Sequence, residues 1–268
     1  ASVPLSAAVR GAARGRATVG LARYMRRALV VGQVAAAFVL TATMGWTLVS
    51  LMTVLSEDPG FTTSGLVTVR FDVPRPLYPD SEARDLVRRV IESVTRMSGV
   101  EAAGVTHLLP FGGRTAALAA RRTDQAPAEA ITAWNYVVSP GYFDAMQVPL
   151  RAGRYLDARD TAESEPVVVI SRRIAERLWP GESPIGRQLV LPPTTARQTF
   201  RVAGIVEDVR QASLTGVTRY GGATYRTYVQ AAERSFTLTA RASSAALDPA
   251  IVSAAIRGVD VRLAPYDA

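Results

Sequence analysis

The residues of this chain that could take part in chemistry are few and lie far apart. It has one histidine, His107, and neither cysteine nor lysine, so a thiolate nucleophile, a cysteine-bound metal and a disulfide are all excluded. His107 has no second histidine to share a metal, and we interpret it as a surface or internally satisfied residue at the end of a strand. The nucleophile turn G-x-S-x-G is absent from the sequence, which argues against a serine hydrolase.

One stretch has the spacing of a phosphate-binding loop. GESPIGRQ, at Gly181–Gln188, contains G-x-x-x-x-G, but the motif continues with a Lys that neutralises phosphate and a Ser or Thr that holds magnesium. Those two positions are Arg187 and Gln188 here, and a Trp-Pro-Gly turn precedes the motif. We therefore predict a tight structured turn and no ATP binding by this chain.

Two pairs of carboxylates, Glu57–Asp58 and Glu207–Asp208, are adjacent in the sequence. Neighbouring side chains of a strand point to opposite faces, which is poor geometry for an acid and a base that act together. The sequence thus predicts no catalytic, cofactor-binding or metal-binding residues, leaves substrate-binding residues unknown, and does not indicate an enzyme.

The other elements of the chain are organised around one apolar stretch, Ala28–Ser56. It has no charged residue, and Gln33 is its only strongly polar one. About 20 apolar residues in a helix cross a bilayer, so this stretch predicts a transmembrane helix. A secretory signal is the alternative, but its apolar region is typically about 7–15 residues long, and this run is longer. Ala37, Thr41 and Gly45 recur at every fourth position, a spacing that either allows close helix packing or reflects ordinary membrane-helix composition.

Positive charge before the apolar stretch predicts its direction. The basic residues there are Arg10, Arg14, Arg16, Arg23, Arg26 and Arg27. Because arginine marks the cytoplasmic side of a span, we expect residues 1–27 to be a cytoplasmic basic connector, loosely ordered over residues 1–20, and the residues from Glu57 onward to be extracytoplasmic. The remaining charges nearly balance, so the net charge of +8 is a topology signal, and we expect no nucleic-acid partner.

The outer part begins and ends with similar patterns. Leu66–Val73 alternates as a half-buried strand, Ser81–Met97 has helical apolar spacing, and Val100–His107 predicts a second strand. Near the far end, Phe236–Arg241 predicts a strand. Asp248-Pro249 predicts the start of a helix that Gly258 ends, and a short strand is predicted at Val259–Ala264. Two β-α-β units at opposite ends suggest one split α/β subdomain with the middle inserted into it.

The middle of the outer part has its own strands and helices. Alternating Trp134, Tyr136 and Val138 predict one strand, and further strands are predicted at Pro166–Ile170 and Phe200–Val206. Ser139-Pro140 is expected to cap a short helix that runs to Met146, and Ser171 a helix that ends near Trp179. Loops or a hinge are predicted at Phe111–Arg114, Leu191–Arg197 and Gly221-Gly222.

Several of these motifs together resemble a known family. EPVVVISRRIAERLWPGESPIGRQL (Glu165–Leu189), VVSPGYFDAMQVPLRAGR (Val137–Arg154), FRVAGIVEDVR (Phe200–Arg210) and DPGF (Asp58–Phe61) resemble the MacB-like periplasmic core domain of FtsX-type ABC transporter permeases. The resemblance implies an α+β fold, with one N-terminal transmembrane helix (28–56) before a two-subdomain periplasmic domain (57–268). The porter-like subdomain would comprise 57–109 and 223–268, and the inserted Sabre-like subdomain 110–222.

The resemblance also implies a function and partners. A separate cytoplasmic ABC ATPase would bind and hydrolyse ATP, and this chain, in the bilayer of a bacterial inner membrane, would transmit the motion to the periplasm for efflux or extrusion of substrates. It implies a homo- or heterodimer of permeases and leaves a periplasmic adaptor open. Such permeases have three further membrane helices after the core domain, so we expect the sequence to be a fragment that cannot transport alone. The transported substrate stays open among drugs, peptides and lipoproteins, as does a role in cell-wall regulation.

Two other classes remain as alternatives at this point. A single-pass, membrane-anchored binding or sensor module would have no further spans and would bind a ligand unaided. A periplasmic enzyme would need an acid–base cluster, which the sequence lacks. Three more apolar runs of about 20 residues downstream of Ala268 would favour the permease over both.

Overall fold

The computed structural model describes residues 5–56, 60–112, 116–191, 198–210, 220–243, 247–263 and 265–267. Contacts divide the chain into two compact units, Ala1–Glu57 and Asp58–Ala268. The carboxylate pair at residues 57 and 58 and most of the loop predicted at 191–197 lie outside the described residues.

The first unit is one long helix, α1, at Leu5–Ser56. Within it, Arg23–Thr53 is long and apolar enough to cross a membrane, and the side chains of these residues are all exposed. The predicted apolar helix is therefore confirmed. The prediction of loose order over residues 1–20 is wrong from Leu5 onward, because α1 already begins there. Alanine and arginine both favour helix, and no proline lies between Pro4 and Pro59 to interrupt it.

The second unit is a mixed α/β fold, as the sequence predicts. Its strands within the described residues are β1 Leu66–Asp72, β2 Val100–Thr106, β3 Ala117–Arg122, β4 Ile131–Val138, β5 Leu150–Gly153, β6 Val167–Ser171, β7 Gln188–Leu191, β8 Gln198–Val206, β9 Ala223–Thr227, β10 Ser235–Ala242 and β11 Tyr266–Asp267. Its α-helices there are α2 Asp80–Thr95, α3 Tyr142–Met146, α4 Arg172–Leu178 and α5 Pro249–Val259.

Strands from both ends of the unit form one antiparallel sheet in the order β11-β1-β10-β2. Helices α2 and α5 pack together and share a buried apolar cluster with β1, β2 and β10. The apolar face of α2 that the periodicity predicts is buried there, including Leu86, Val90 and Val94. The two terminal segments therefore join in one sheet although about 130 residues separate β2 from β10 in the sequence.

The end of this sheet differs from the prediction in two details. The α5 start is confirmed, since the Asp248 carboxylate accepts a hydrogen bond from the Ala250 amide. However, the helix continues through Gly258 to Val259, and the strand predicted over residues 259–264 is wrong where the structure describes it. The Asp260 side chain accepts a hydrogen bond from the Arg262 amide at 2.9 Å, which folds the backbone into a turn, and the short strand follows at Tyr266.

The middle strands close into a ring. Around it, β4 pairs with β3, β3 with β7, β7 with β8, β8 with β6, β6 with β9, and β9 returns to β4. Strand β5 pairs with residues 204–206 at the end of β8, beyond the residues that pair with β7. Alternate residues of β4 face two cores: Trp134 and Tyr136 pack with α3, and Ala133 shares a second cluster with α4. Among the described residues, β2 and β4 share one ladder pair, Thr106 with Val138, and backbone hydrogen bonds from His107 to Val137 and from Ser139 to Val105 lie beside it.

Two serines that were predicted to cap helices bind strands instead. The Ser139 hydroxyl accepts a hydrogen bond from the Val105 amide at 2.9 Å, and α3 begins two residues after Pro140. The Ser171 hydroxyl accepts from the Ala223 amide at 3.0 Å and makes no bond to α4, although Ser171 is in the N-cap position. Each hydroxyl lies close enough to a neighbouring strand to accept a hydrogen bond from its backbone amide. This bond takes the place of the predicted bond to a helix N-terminus.

The division into subdomains at residues 110 and 223 stays a prediction. Strand β9, which follows the second of these positions, pairs with β4 and β6 of the ring.

Candidate functional site

The segment Gly60–Gly65, which we call the pre-β1 segment, is where the second unit begins within the described residues. Gly60 has a φ of +80°, a conformation that favours glycine. A Cβ atom at this position would lie 2.3 Å from the carbonyl oxygen of Asp208. The glycine of the DPGF motif is thus required twice, once by its backbone angle and once by the close approach of the residues that follow β8.

One buried arginine holds the other end of the pre-β1 segment. Arg241 is 4% exposed, and its guanidinium donates to three carbonyl oxygens. Nε bonds to Ala145 at 2.7 Å, one terminal nitrogen to Ser64 at 2.7 Å, and the other to Thr62 at 2.6 Å. Burial lowers the pKa of Arg241 from its ordinary value, but arginine keeps its charge in proteins, so these are charge-assisted bonds.

Helix α3 forms the floor beneath this arginine. It packs on both β2 and β10, and Arg241 lies on β10. Its approach depends on two glycines, since a Cβ on Gly104 would lie 2.4 Å from the Tyr142 amide nitrogen, and one on Gly141 would lie 2.2 Å from the Ala103 carbonyl oxygen. The Thr62 amide donates to the Met146 carbonyl at 3.2 Å. The pre-β1 segment, α3 and β10 therefore form one interlocked backbone assembly.

The acidic pair at residues 207 and 208 does not behave as the sequence predicts. Strand β8 ends at Val206, so strand alternation no longer applies, and both carboxylates contact Arg172. Its Nε lies 2.9 Å from Glu207 and a terminal nitrogen 3.3 Å from Asp208. The prediction that the two side chains point apart is therefore wrong. Hydrogen bonds from Arg172, and further from Arg151, lower the pKa of Glu207 to about 2, which makes it a poor general base.

His107 lies inside the fold, where it is 9% exposed. Its Nδ1 accepts a hydrogen bond from the Val137 amide at 2.9 Å, which places the ring proton on Nε2. Nε2 has no hydrogen-bond partner among the described residues. Burial first, and then the positive charge of Arg226, lowers the pKa of His107 to about 4, so the ring is neutral at physiological pH.

The stretch GESPIGRQ forms a turn between α4 and β7. Gly181 and Gly186 have φ values of +75° and +80°, and the Gly186 amide donates to the Val202 carbonyl at 2.9 Å, which ties the turn to β8. The predicted tight turn is confirmed. Within the described residues, no group of three or more potential metal-binding side chains occurs.

Residues 28–259 match the family described as the MacB-like periplasmic core domain. The chain belongs to this family. The match includes the apolar helix and nearly all of the second unit, and it makes this protein a relative of ABC transporter permeases with a membrane-anchored, extracytoplasmic domain.

Individual relatives of the MacB-like domain share limited sequence identity with this chain. The Macrolide export ATP-binding/permease protein MacB of Azoarcus sp. (strain BH72) is 30% identical over 118 residues, which are 44% of this chain and 17% of that protein. The chain therefore matches only about a sixth of the length of this curated relative.

A solved structure supports the fold of the MacB-like domain. The periplasmic region of MacB from Actinobacillus actinomycetemcomitans is 17% identical and superposes with a TM-score of 0.50, covering 80% of this chain and 93% of that one. The extracellular domain of the noncanonic ABC-type transporter YknZ from Gram-positive bacteria is 14% identical, with a TM-score of 0.44, covering 67% of this chain and 84% of that one.

Sequence reasoning missed the most consequential residue of the MacB-like domain, Arg241. Its strand alternates, with Phe236, Leu238 and Ala240 in the apolar cluster beneath α2 and α5. Thr237, Thr239 and Arg241 are on the other face, and all three are buried. A strand face that carries two threonines and an arginine is typical of a face exposed to solvent. The packing of α3 onto this face buries it, and the sequence gives no sign of that packing.

Proposed function

We propose that this chain is part of a permease subunit of an ABC-type exporter, and that it couples ATP hydrolysis by a separate cytoplasmic ATPase to movement of its extracytoplasmic domain. The observation that carries the proposal is the fixation of the pre-β1 segment. The close backbone approach of Gly60 and two charge-assisted bonds of Arg241, to Thr62 and Ser64, hold the first described residues after α1 to the folded unit, and a third bond fixes the guanidinium to Ala145. A displacement of this segment would therefore move the domain with it.

The direction of the chain follows from its charges. The arginines before the span would stay in the cytoplasm, because positive charge accumulates on that side, and the domain would be exported. The inner membrane of a bacterium would then hold α1, with the domain on the periplasmic face. The small residues Ala37, Thr41 and Gly45 would let further membrane helices of the permease approach α1 closely.

The ATPase would be a partner protein. The MacB relative of Azoarcus is named as a combined ATP-binding and permease protein. In this chain, the stretch Gly181–Gln188 has phosphate-loop spacing but carries Arg187 and Gln188 in place of the required Lys and Ser or Thr, and the sequence contains no lysine. We therefore assign only the permease role to it, and a second permease copy as the partner within the bilayer.

The topology can be tested with single cysteines, because the chain has none of its own. Ser98→Cys lies in an exposed turn after α2, and Ser6→Cys precedes the span. A membrane-impermeant maleimide added to spheroplasts should label Ser98→Cys at once and Ser6→Cys only after the membrane is permeabilised. The opposite pattern, or labelling of both before permeabilisation, would contradict the proposed orientation.

Coupling can be tested on the permease purified from its own membrane. We expect an ABC ATPase to copurify, and the distance between spin labels on Ser98→Cys in two copies to change when ATP and magnesium are added. Labels on Ser64→Cys and Ser98→Cys within one copy are the control, and their distance should stay constant because both sites belong to one unit. If no ATPase copurifies and the chain alone binds a ligand, the protein would instead be an anchored binding module.

A further inference from the structure

Side chains replace backbone acceptors at the junction between β2 of the end sheet and β4 of the ring. The amide of His107, which directly follows β2, donates to the Val137 carbonyl at 3.0 Å, but the Val137 amide donates to Nδ1 of the His107 imidazole at 2.9 Å. On the other side of the ladder pair that the strands share, the Ser139 amide donates to the Val105 carbonyl at 2.9 Å, and the Val105 amide donates to the Ser139 hydroxyl at 2.9 Å. Two of these four hydrogen bonds therefore depend on a side chain, and the imidazole is one that titrates.

The bond between the Val137 amide and His107 requires a neutral imidazole. In neutral histidine one ring nitrogen accepts and the other donates, whereas both nitrogens donate in the imidazolium. A proton on Nδ1 would therefore face the Val137 amide as a second donor, and the bond would be lost. Nε2 has no hydrogen-bond partner among the described residues, so neither N–H group of the imidazolium would have an acceptor there. Protonation of the ring and a closed junction thus oppose each other.

The surroundings of His107 favour the neutral form. The ring is 9% exposed and lies edge to face against Tyr136 of β4, with 6.3 Å between centroids. Burial raises the pKa of Tyr136, which therefore stays uncharged. From β9, Arg226 contributes a positive charge that a bond from its Nε to Asn135, at 2.9 Å, holds in place. Burial and this charge lower the pKa of His107 to about 4, and no carboxylate in the described part of the chain offsets them. The junction is therefore closed at neutral pH.

The junction is one of two connections between the ring and the end sheet that involve β2. Helix α3 provides the other, because it packs with Trp134 and Tyr136 in an apolar cluster and also contacts β2 and β10. Apolar contacts carry no charge, so we expect α3 to keep the domain assembled when the strand junction opens.

We propose that His107 is a proton-sensitive latch between the two parts of the domain: neutral His107 holds β2 on β4, and protonated His107 releases this pair, so that the ring and the end sheet gain freedom to move relative to each other. The latch belongs to the second unit alone. It therefore does not depend on the proposed transport function or on the membrane topology.

Hydrogen exchange at the Val137 amide measures the opening of the latch. When the junction opens, His107 should regain its ordinary pKa of 6.5, and linkage then raises the opening constant about twentyfold from pH 7 to pH 5. We expect the protection of this amide to fall by that factor in the full chain in detergent, read by NMR and corrected for the pH dependence of the intrinsic exchange rate. Because the chain has one histidine, its ring signals report protonation in the same samples.

A conservative variant separates the latch from general acid sensitivity. His107→Asn offers a side-chain carbonyl oxygen in place of Nδ1 and does not titrate, so the protection of Val137 should be equal at pH 7 and pH 5. If wild-type protection does not change over this range, or falls as much in His107→Asn, the latch is overturned.

The amides of the β1–β10 ladder control for unfolding of the whole unit. They should stay at least about tenfold more protected than Val137 at both pH values, because local opening requires less free energy than global unfolding. Equal protection of these amides and Val137 at both pH values would show that the junction opens only when the domain unfolds, which also overturns the latch.

Relative movement of the two parts can be measured with a pair of spin labels, because the chain has no cysteine of its own. Ser98→Cys lies in the exposed turn between α2 and β2, and Thr123→Cys in the exposed turn after β3 of the ring. The distribution of distances between these labels should be broader at pH 5 than at pH 7, and His107→Asn should abolish the difference. If Val137 loses protection while the distribution stays the same, the bond breaks without releasing the two parts, and the latch is refuted.

Discussion

Replacement of Arg241 by methionine tests whether the pre-β1 segment is fixed to the domain as the structure indicates. Methionine keeps much of the side-chain length and fills buried space, but it removes all three hydrogen bonds. The carbonyl of Ala145 lies in a fully buried residue and would lose its partner, at a cost of about 1–3 kcal/mol. Thr62 is half-buried and Ser64 is exposed, so water can replace the guanidinium there at a smaller cost of about 1 kcal/mol in all.

The expected loss in the free energy of unfolding is therefore about 2–4 kcal/mol, which corresponds to a decrease in Tm of about 6–12 °C for a domain of this size. Urea unfolding of the full chain in detergent, followed by circular dichroism, measures the first quantity. Hydrogen exchange measures the local effect, and it should increase most in the peptide that contains Thr62, whose amide bonds to Met146.

The matched control is Arg257→Met, at an exposed position on α5. It removes the same charge from the same unit and should change stability by less than about 0.5 kcal/mol. If Arg241→Met unfolds within that margin of the control, and exchange at Thr62 is unchanged, then Arg241 does not fix the segment and the proposed coupling loses its physical basis.

Three further outcomes are expected. Gly60→Ala should destabilise the second unit by at least about 1 kcal/mol more than Gly99→Ala. Both glycines have a similar positive φ, but only at position 60 would the new Cβ lie against the Asp208 carbonyl oxygen. Thermal unfolding of the two variants measures the difference. The pKa of His107 is about 4 in the fold and 6.5 in the unfolded chain, so between these pH values the unfolded state binds more protons than the folded state. The free energy of unfolding should therefore fall by about 2 kcal/mol from pH 7.5 to pH 5. Urea titrations at several pH values measure this fall, and it should be smaller in His107→Asn. Asp248→Ala should cost about 1 kcal/mol in urea unfolding through loss of the α5 cap, whereas Asp248→Asn should retain most of it.

Local patterns were sufficient to predict the elements whose residues alternate or recur at helical spacing. Strand β1, helix α2 and strand β2 lie where periodicity places them, within a few residues at each end. The Asp248-Pro249 start of α5 is equally local, because a cap involves only residues within one helical turn. Such features depend on neighbours in the sequence, and the sequence contains them in full.

The features that could not be predicted depend on partners far away in the sequence. Ser171 looks like a helix cap until Ala223, 52 positions later, is seen to lie against its hydroxyl. The ring closes through Trp134 and Ala223, about 90 residues apart, and no periodicity specifies which strands pair. Arg241 follows the same rule, since its three acceptors come from two other segments of the chain.

The position of the pre-β1 segment also decides how a displacement would pass through the domain. The ring and the end sheet meet where β2 pairs with β4, and also through α3, which packs with Trp134 and Tyr136 of the ring and contacts β2 and β10 of the end sheet. The pre-β1 segment contacts both parts. Gly60 lies against Asp208, just after β8 of the ring, whereas Thr62 and Ser64 are bonded to Arg241 on β10 of the end sheet. Because the pre-β1 segment contacts both parts, and α3 also packs between them, we expect a displacement of this segment to move the ring and the end sheet together.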